Sequence, residues 1–180
     1  SPESKARFAS LVEVSGIAKA LRRIEITQAA EEDILRVHTS EHLEKMKALS
    51  TDIRGGDMGD GVSPFGFAGV DLARLAAGGT MSALRAVVEK EVNNAYALVR
   101  PPGHHARPET GMGFCMFANV AIAIAYARAK LGIGRVAVVD WDVHHGNGTE
   151  ACFEQDPDVL TISLHQDGNF PAHTGKVADR

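Results

Sequence analysis

In the stretch Arg135-Val-Ala-Val-Val-Asp140-Trp-Asp142-Val-His144-His145-Gly-Asn147-Gly-Thr149, two carboxylates and two imidazoles follow directly on an apolar, β-branched run. That pattern reads as a buried strand delivering ligands at its tip. Side chains alternate along a strand, so Asp140, Asp142 and His144 are expected on one side, with Trp141 and Val143 on the other. A carboxylate and an imidazole two residues apart at the carboxyl end of a strand, where α/β folds open their ligand crevices, suit a divalent metal such as Zn²⁺. A plain charged exit from a strand is the competing reading. Asn147-Gly-Thr149 also fits a glycosylation acceptor, which inside a ligand loop reads as coincidence.

A second cluster, Arg100-Pro-Pro-Gly103-His104-His105-Ala106, follows another apolar run, Ala95 to Val99. Pro-Pro-Gly limits the freedom of the backbone ahead of the two rings. Alone, His-His after a turn is ordinary surface polarity. Beside a metal, however, a hydrolytic site needs a group that takes and returns a proton, and histidine titrates in the right range.

The elements that must position these groups alternate. Residues 3–22 and 41–49 read as helices with a short element at 31–37 between them, and 55–64 is a loop by its Gly, Asp and Pro content. A helix is expected over 69–89, weakened at Gly78-Gly79, with further helices at 119–131 and 148–154. Strands are expected at 95–99, 135–140 and 159–164, with Val136 to Val139 buried on both faces as a central strand. Strands spaced by helices give an α/β fold, a parallel sheet with helices on both faces. No internal repeat or low-complexity tract interrupts it.

Four motifs in order carry a family resemblance. They are Pro102-Gly-His104-His105-Ala, Gly111-Met-Gly113-Phe114-Cys115 running into Asn119-Val-Ala-Ile-Ala, Asp140-Trp-Asp142-Val-His144-His145-Gly-Asn147-Gly-Thr149, and Asp156-Pro-Asp158-Val-Leu-Thr-Ile-Ser163-Leu164-His165. Together they resemble the zinc-dependent histone deacetylases, most closely the class II type and the bacterial deacetylase-like amidohydrolases. Trp141 and Asn147 favour that branch. The resemblance spans nearly the whole chain and is densest over 95–175.

The resemblance implies an arginase/deacetylase-like fold and a set of roles. Asp142 and His144 would be two of three zinc ligands, and His104 and His105 the tandem catalytic histidines, with His105 the principal base and then acid. Asp140 would orient His104, and Asn147 would hydrogen-bond His105. Structural potassium would sit between Asp140, Ser163 and main-chain oxygens of Asp142, His144 and Leu164, and again at main-chain oxygens near Phe153, Asp156 and Val159. Phe114 and Phe170 would wall an acyl-lysine tunnel floored by Gly113, and Asp60, or alternatively Asp57, would grip the substrate backbone from the rim. Outside their motifs, the two phenylalanines read as core aromatics and Ser163-Leu164-His165 as an ordinary strand end. Ala118 departs from the family's usual Asn, which touches the start of the following helix rather than the chemistry.

The family's third zinc ligand is an Asp on a later strand loop, and its transition-state tyrosine lies in a later Gly-Gly-Tyr segment. This sequence offers Tyr96 and Tyr126 only, opens on Ser1-Pro-Glu-Ser and stops at Arg180. Residues 1–180 are therefore expected to form a partial catalytic domain, inactive alone, with a sheet incomplete on its C-terminal side and prone to self-association. The implied reaction removes an acetyl or other acyl group from a lysine side chain or a related amine. Acetylated lysine peptides and acetylated polyamines are the two substrate classes, and a non-catalytic metal-binding piece is the reading from outside enzymology. Arginase-like two-metal chemistry is disfavoured, because Gly146 stands where that motif wants an acid.

Composition narrows the field further. With 44% hydrophobic and 23% charged residues over 180 positions, the chain matches one globular domain. A net charge of −4 without a Lys/Arg cluster argues against nucleic acid, and no apolar run is long enough to span a bilayer. Cys115 and Cys152 form no C-x-x-C pair and are expected as free thiols in a reducing cytoplasm.

Overall fold

A computed structural model of the protein describes residues 2–176. Helix α1 spans Pro2–Val14, α2 Glu31–Ile34 and α3 Ser40–Ser50, followed by two-residue strands β1 (Gly56–Asp57) and β2 (Pro64–Phe65). Then come α4 (Gly69–Val88), α5 (Asn119–Leu131), β3 (Val136–Asp140), α6 (Asn147–Phe153) and β4 (Val159–Ser163). Strands β3 and β4 run parallel in the register Val136↔Val159 to Asp140↔Ser163, joined by α6, which is the strand–helix–strand unit expected of an α/β chain.

The core lies between the long helices. Ile34, Leu43, Met46, Met116, Phe117 and Ile122 are completely enclosed where α3, α4 and α5 meet. Burying each such side chain contributes roughly 1.5–3 kcal/mol. A second cluster joins α5 to one sheet face through Ala121, Ile124, Phe153 and Val159, with Val136 and Val138 against it. Thr39 starts α3 by accepting the His42 N–H at 3.2 Å. Ala118 gives α5 no side-chain cap, as its departure from Asn implied.

Several expectations need correction. The helix expected over 3–22 stops at Val14, because Gly16 adopts φ +81° and turns the chain into a short 3-10 segment, Ile17–Ala20. Gly78 and Gly79 are no weak spot. They are buried inside α4, where a Cβ on Gly78 would lie 1.8 Å from the Thr27 carbonyl oxygen, so glycine is what lets the 27–29 segment approach. Residues 95–99 form no strand: they pair with no neighbour, and Ala97 and Val99 face Val138, Val139 and Asp140 across an open gap. Val136 to Val139 is not covered on both faces either. Among the described residues Val139, Leu160 and Ile162 stay 49%, 59% and 39% exposed on the face turned away from α5. The loop expected at 55–64 contains the small β1–β2 pair.

Candidate active site

Two successive side-chain turns shape the tip of β3. The Asp142 N–H donates to Asp140 Oδ1 at 3.0 Å, and the His144 N–H donates to Asp142 Oδ1 at 2.8 Å. Each aspartate thus bends the backbone that follows it. The strand ends at Asp140, so strand alternation does not place Asp142 and His144; the carboxylate turns do. His144 Nδ1 and Asp142 Oδ1 end 2.9 Å apart, while Trp141 and Val143 point into solvent. Leu164 N–H donates to the Asp140 carbonyl at 2.8 Å and anchors the tip to the end of β4.

The two histidines reach this tip from the Pro101-Pro102-Gly103 turn. Gly103 is needed there, because a Cβ would lie 2.5 Å from the Asn119 nitrogen at the start of α5. From the other side the first amides of α6, Gly148 and Thr149, donate to the His104 carbonyl at 2.9 and 3.2 Å. A Cβ on Gly148 would strike the Ala106 carbonyl oxygen at 2.4 Å, so the His-Gly-Asn-Gly loop closes tightly on the histidine pair. The rings lie 3.9 Å apart between centroids.

Each ring is held through Nδ1. His104 Nδ1 bonds Asp140 Oδ2 at 2.8 Å, and His105 Nδ1 bonds Asn147 Oδ1 at 2.8 Å. Both acceptors require Nδ1–H, which leaves each Nε2 as the outward atom. Burial raises Asp140, but the bonds from His104 and the Asp142 N–H outweigh it and hold the carboxyl below its ordinary range. Asp142 is lowered likewise, by the bonds from His144 against the cost of burial. Burial, then the neighbouring His104, pushes His105 down to about 4, so it stands neutral near pH 7.

These groups open into one cleft of about 690 Å³, shared by His104, His105, Asp142 and His144 with Gly113, Phe114 and Phe170. The Phe170 ring meets His105 edge-on at 5.0 Å and His144 at 6.1 Å. A Cβ on Gly113 would lie 2.4 Å from His105 Cδ2 and 2.8 Å from Phe170 Cε1. Gly113 and Phe114 both take positive φ, +54° and +65°, which projects Phe114 outward, 62% exposed.

Asp60 is not among the residues lining this cleft; Val62 and Ser63 are. Its Oδ2 accepts the Gly113 N–H at 2.7 Å and the Ser63 hydroxyl at 2.8 Å, and Ser63 Oγ in turn accepts the Phe114 N–H at 2.9 Å. Burial raises Asp60, and these donors outweigh it to hold it low. The Asp57 carboxylate is turned onto the Gly59, Gly61 and Ser63 amides of its own loop. The Asp60–Ser63 clasp is a functional candidate that side-chain spacing alone does not reveal, although Asp-x-x-Ser is a recognisable local hydrogen-bonding pattern.

Asp140, Ser163, Leu164, Phe153, Asp156 and Val159 line a different cavity, on the α6 side of the tip. There Ser163 Oγ accepts the Gly146 N–H at 3.2 Å and bonds His165 Nδ1 at 2.9 Å. The Asp156 carboxylate pairs with Arg128. Tyr96 and Tyr126 line neither the cleft nor this cavity. Among the described residues no group of three or more His, Cys, Asp and Glu is arranged to hold a metal ion.

Fold and site together define an α/β protein whose parallel strands end in a cluster of oriented imidazoles and carboxylates beneath an aromatic-walled cleft. The profile of the histone deacetylase domain matches residues 1–180, and the chain belongs to that family. It is 53% identical over 171 residues to a histone deacetylase-like amidohydrolase of Pseudomonas aeruginosa, a match covering 95% of this chain and 44% of that protein. It is 40% identical over 160 residues to the polyamine deacetylase HDAC10 of Danio rerio, covering 84% and 23%. Among solved structures it is similar to the crystal structure of the HDA15 HD domain, with a TM-score of 0.91, 36% identity, and coverage of 97% of this chain and 50% of that one. The chain thus spans about half the length, or less, of these relatives.

Proposed function

We propose that residues 1–180 form part of a zinc-dependent deacetylase of the class II and bacterial amidohydrolase branch, acting on acetylated lysine side chains. The observation that carries this reading is the pair of 2.8 Å bonds, His104 to Asp140 and His105 to Asn147, beside Asp142 and His144 in one aromatic-walled cleft. The donor set fits zinc as part of a ligand shell. Asp142 and His144 bring a carboxylate and an imidazole together at the mouth of the cleft, and these two side chains would hold the ion once the His144 proton is given up. A zinc ion held there would supply the Lewis acidity that polarises a scissile carbonyl. His105, neutral and with Nε2 outward, takes the proton of the attacking water and passes it to the leaving amine. His104, fixed by Asp140, shapes the field around that transfer. Gly113, Phe114 and Phe170 shape a slot for a slender acyl chain and keep water from it.

Asp140 and Ser163, register partners at the ends of β3 and β4, are proposed to hold potassium with the carbonyls of Asp142, His144 and Leu164. A second potassium is assigned to the carbonyls of Phe153, Asp156 and Val159 in the α6–β4 connection. Asp60, with Asp57 as the alternative, is proposed to grip the substrate backbone from the rim, its carboxylate being fixed by the Gly113 N–H and the Ser63 hydroxyl. A cytoplasmic location is supported by Cys115 and Cys152, both free. No helix among the described residues is long and apolar enough to cross a membrane, and no nucleic-acid partner is assigned.

The reading is tested in a chimaera in which this chain replaces the matching part of the P. aeruginosa relative. Asp142→Ala or His144→Ala should remove bound zinc and acetyl-lysine hydrolysis together. One zinc per chain retained in Asp142→Ala would reject the ligand assignment. Acetylpolyamine hydrolysis exceeding acetyl-lysine hydrolysis would move the substrate to the second class.

A further inference from the structure

The Gly113–Phe114 wall of the cleft hangs on a loop, residues 107–118, with two isolated bridges of its own, Arg107↔Thr110 and Met112↔Cys115. From outside, Asp60, Ser63 and the Met58 carbonyl hold the middle of the loop at Gly113, Phe114 and Gly111, which leaves its two ends to be fixed. The Gly113 side of the cleft touches His105, and Cys115 lies behind it, its Sγ accepting the His105 N–H at 3.5 Å. A shift of the loop therefore shifts the surroundings of the histidine that faces the cleft.

His38 meets both ends of this loop with one ring. Its Nδ1 bonds the Pro108 carbonyl at 3.2 Å, and its Nε2 accepts the Ala118 N–H at 2.9 Å. Next to it, the Thr39 N–H donates to the same Pro108 carbonyl at 3.0 Å, and His42 Nε2 bonds the Met116 carbonyl at 2.9 Å. His38 and His42 are 3% and 2% exposed and pack on each other and on Phe117. A carbonyl at Nδ1 and an amide N–H at Nε2 admit one tautomer only, neutral with the proton on Nδ1. Neither lysine nor an aliphatic side chain can supply a donor and an acceptor across that span.

We propose that His38 is a positioning residue of the candidate site, its ring tying Pro108 to Ala118 so that Gly113, Phe114 and Cys115 are held against His105. The proposal deepens the reading of His104 and His105 as a catalytic pair and rests on it. Burial, then His42, pushes His38 down to about 4, in keeping with a ring that stays neutral. A histidine that merely fills the core would stabilise the whole chain and leave no mark confined to the loop.

Amide hydrogen exchange and imidazole NMR on the 180-residue chain, without metal or substrate, separate the two roles. In the wild type at pH 7, His38 should carry its proton on Nδ1. His38→Asn keeps a donor near Pro108 and loses the acceptor for Ala118, so the Ala118 amide should exchange about ten- to a hundredfold faster. His38→Gln can reach Ala118 instead, and there Ala118 should stay protected while the 107–110 turn loosens. In His38→Asn the His105 ring resonances should move while amides within α4 keep their protection. Three results would overturn the proposal: Nε2–H on His38 in the wild type, exchange raised uniformly across α4 and α5, or His105 resonances unmoved in a folded His38→Asn. Should both variants fail to fold, the wild-type tautomer decides. Because no readout uses activity, loss of the deacetylase reading through the zinc test above would be seen separately.

Discussion

Asn147 Oδ1 accepts the Nδ1–H of His105 at 2.8 Å, and this one bond decides which nitrogen of His105 faces the cleft. Asn147 can do so because it begins α6, whose next amides hold the His104 carbonyl. Backbone and side chain of one turn thus orient both neighbouring rings. Asn147→Ala should lower kcat in the chimaera by about 10- to 100-fold, the usual effect of removing such a partner, with zinc content little changed. Wild-type kcat in this variant would show that His105 needs no outside partner to choose its tautomer.

The paired histidines should separate by kinetics. His105→Ala should reduce kcat by ~10²–10⁴, as expected for lost proton transfer, and keep its zinc. His104→Ala should cost less, since His104 acts through its field and its bond to Asp140. Metal lost from His105→Ala would make it a ligand, and near-native rates in both variants would remove the pair from the chemistry.

Much of this centre is readable in sequence because its residues fall in short segments with strong local signals: a β-branched run ending in Asp140, Pro-Pro-Gly before His104, glycines around Asn147. What sequence misplaces is what depends on distant partners. Strand alternation suggests why Asp142 and His144 share a side, yet the structure places them by two carboxylate turns after the strand has ended. Ala95 to Val99 has strand composition but no partner to bond, and an extended segment without a ladder is not a strand. The Asp60–Ser63 clasp spans over fifty residues to reach Gly113 and Phe114, and no periodicity reports it. His38 precedes the Thr39 cap of α3 and His42 lies in that helix's first turn, and what the two rings hold lies some seventy to eighty residues on.

Gly113→Ala should injure site and fold together. The new methyl would sit 2.4 Å from His105 Cδ2 and 2.8 Å from Phe170, at a φ of +54° that alanine adopts with difficulty. Strain of this kind typically costs about 1–3 kcal/mol, so the unfolding midpoint should fall by several degrees and turnover should fall with it. An unchanged melting temperature, measured calorimetrically, would mean that the Gly113–Phe114 turn relaxes freely.

Acid should destabilise the chain through His38. Its folded pKa, about 4, lies below the unfolded 6.5, so between those values the unfolded chain binds a proton that the folded ring refuses. Stability is complete above pH 6.5 and is lost as pH falls toward 4, by up to about 3 kcal/mol for a shift of this size. The groups facing the ring are His42 on α3 and the backbone of Arg107 and Pro108; His42, itself lowered by burial, acts in the same direction. Urea titrations at pH 7.5, 5.5 and 4.5 should show the decline, and His38→Gln should reduce it without abolishing it, because His105, also lowered to about 4, acts over the same window. A decline equally steep in His38→Gln would assign the acid sensitivity to other groups.

The 180-residue chain by itself should hydrolyse acetyl-lysine peptides no faster than background. Asp142 and His144 are two donors where catalytic zinc takes three, and among the described residues no third His, Cys, Asp or Glu joins them. Neither tyrosine lines the cleft, so nothing in this chain supplies a phenol opposite His105. The sheet face bearing Val139, Leu160 and Ile162 is exposed, with Trp141 and Leu164 exposed at the strand ends. An apolar face of that kind favours association. Sedimentation should therefore find the isolated chain as dimers or larger species at micromolar concentration, with zinc bound weakly or shared between copies. Co-expression with the remaining portion of the P. aeruginosa relative should restore tight zinc binding and turnover if that portion supplies the third ligand. Chelator-sensitive hydrolysis by the purified, monomeric chain would show that two donors suffice here, or that a ligand outside the described residues completes the site.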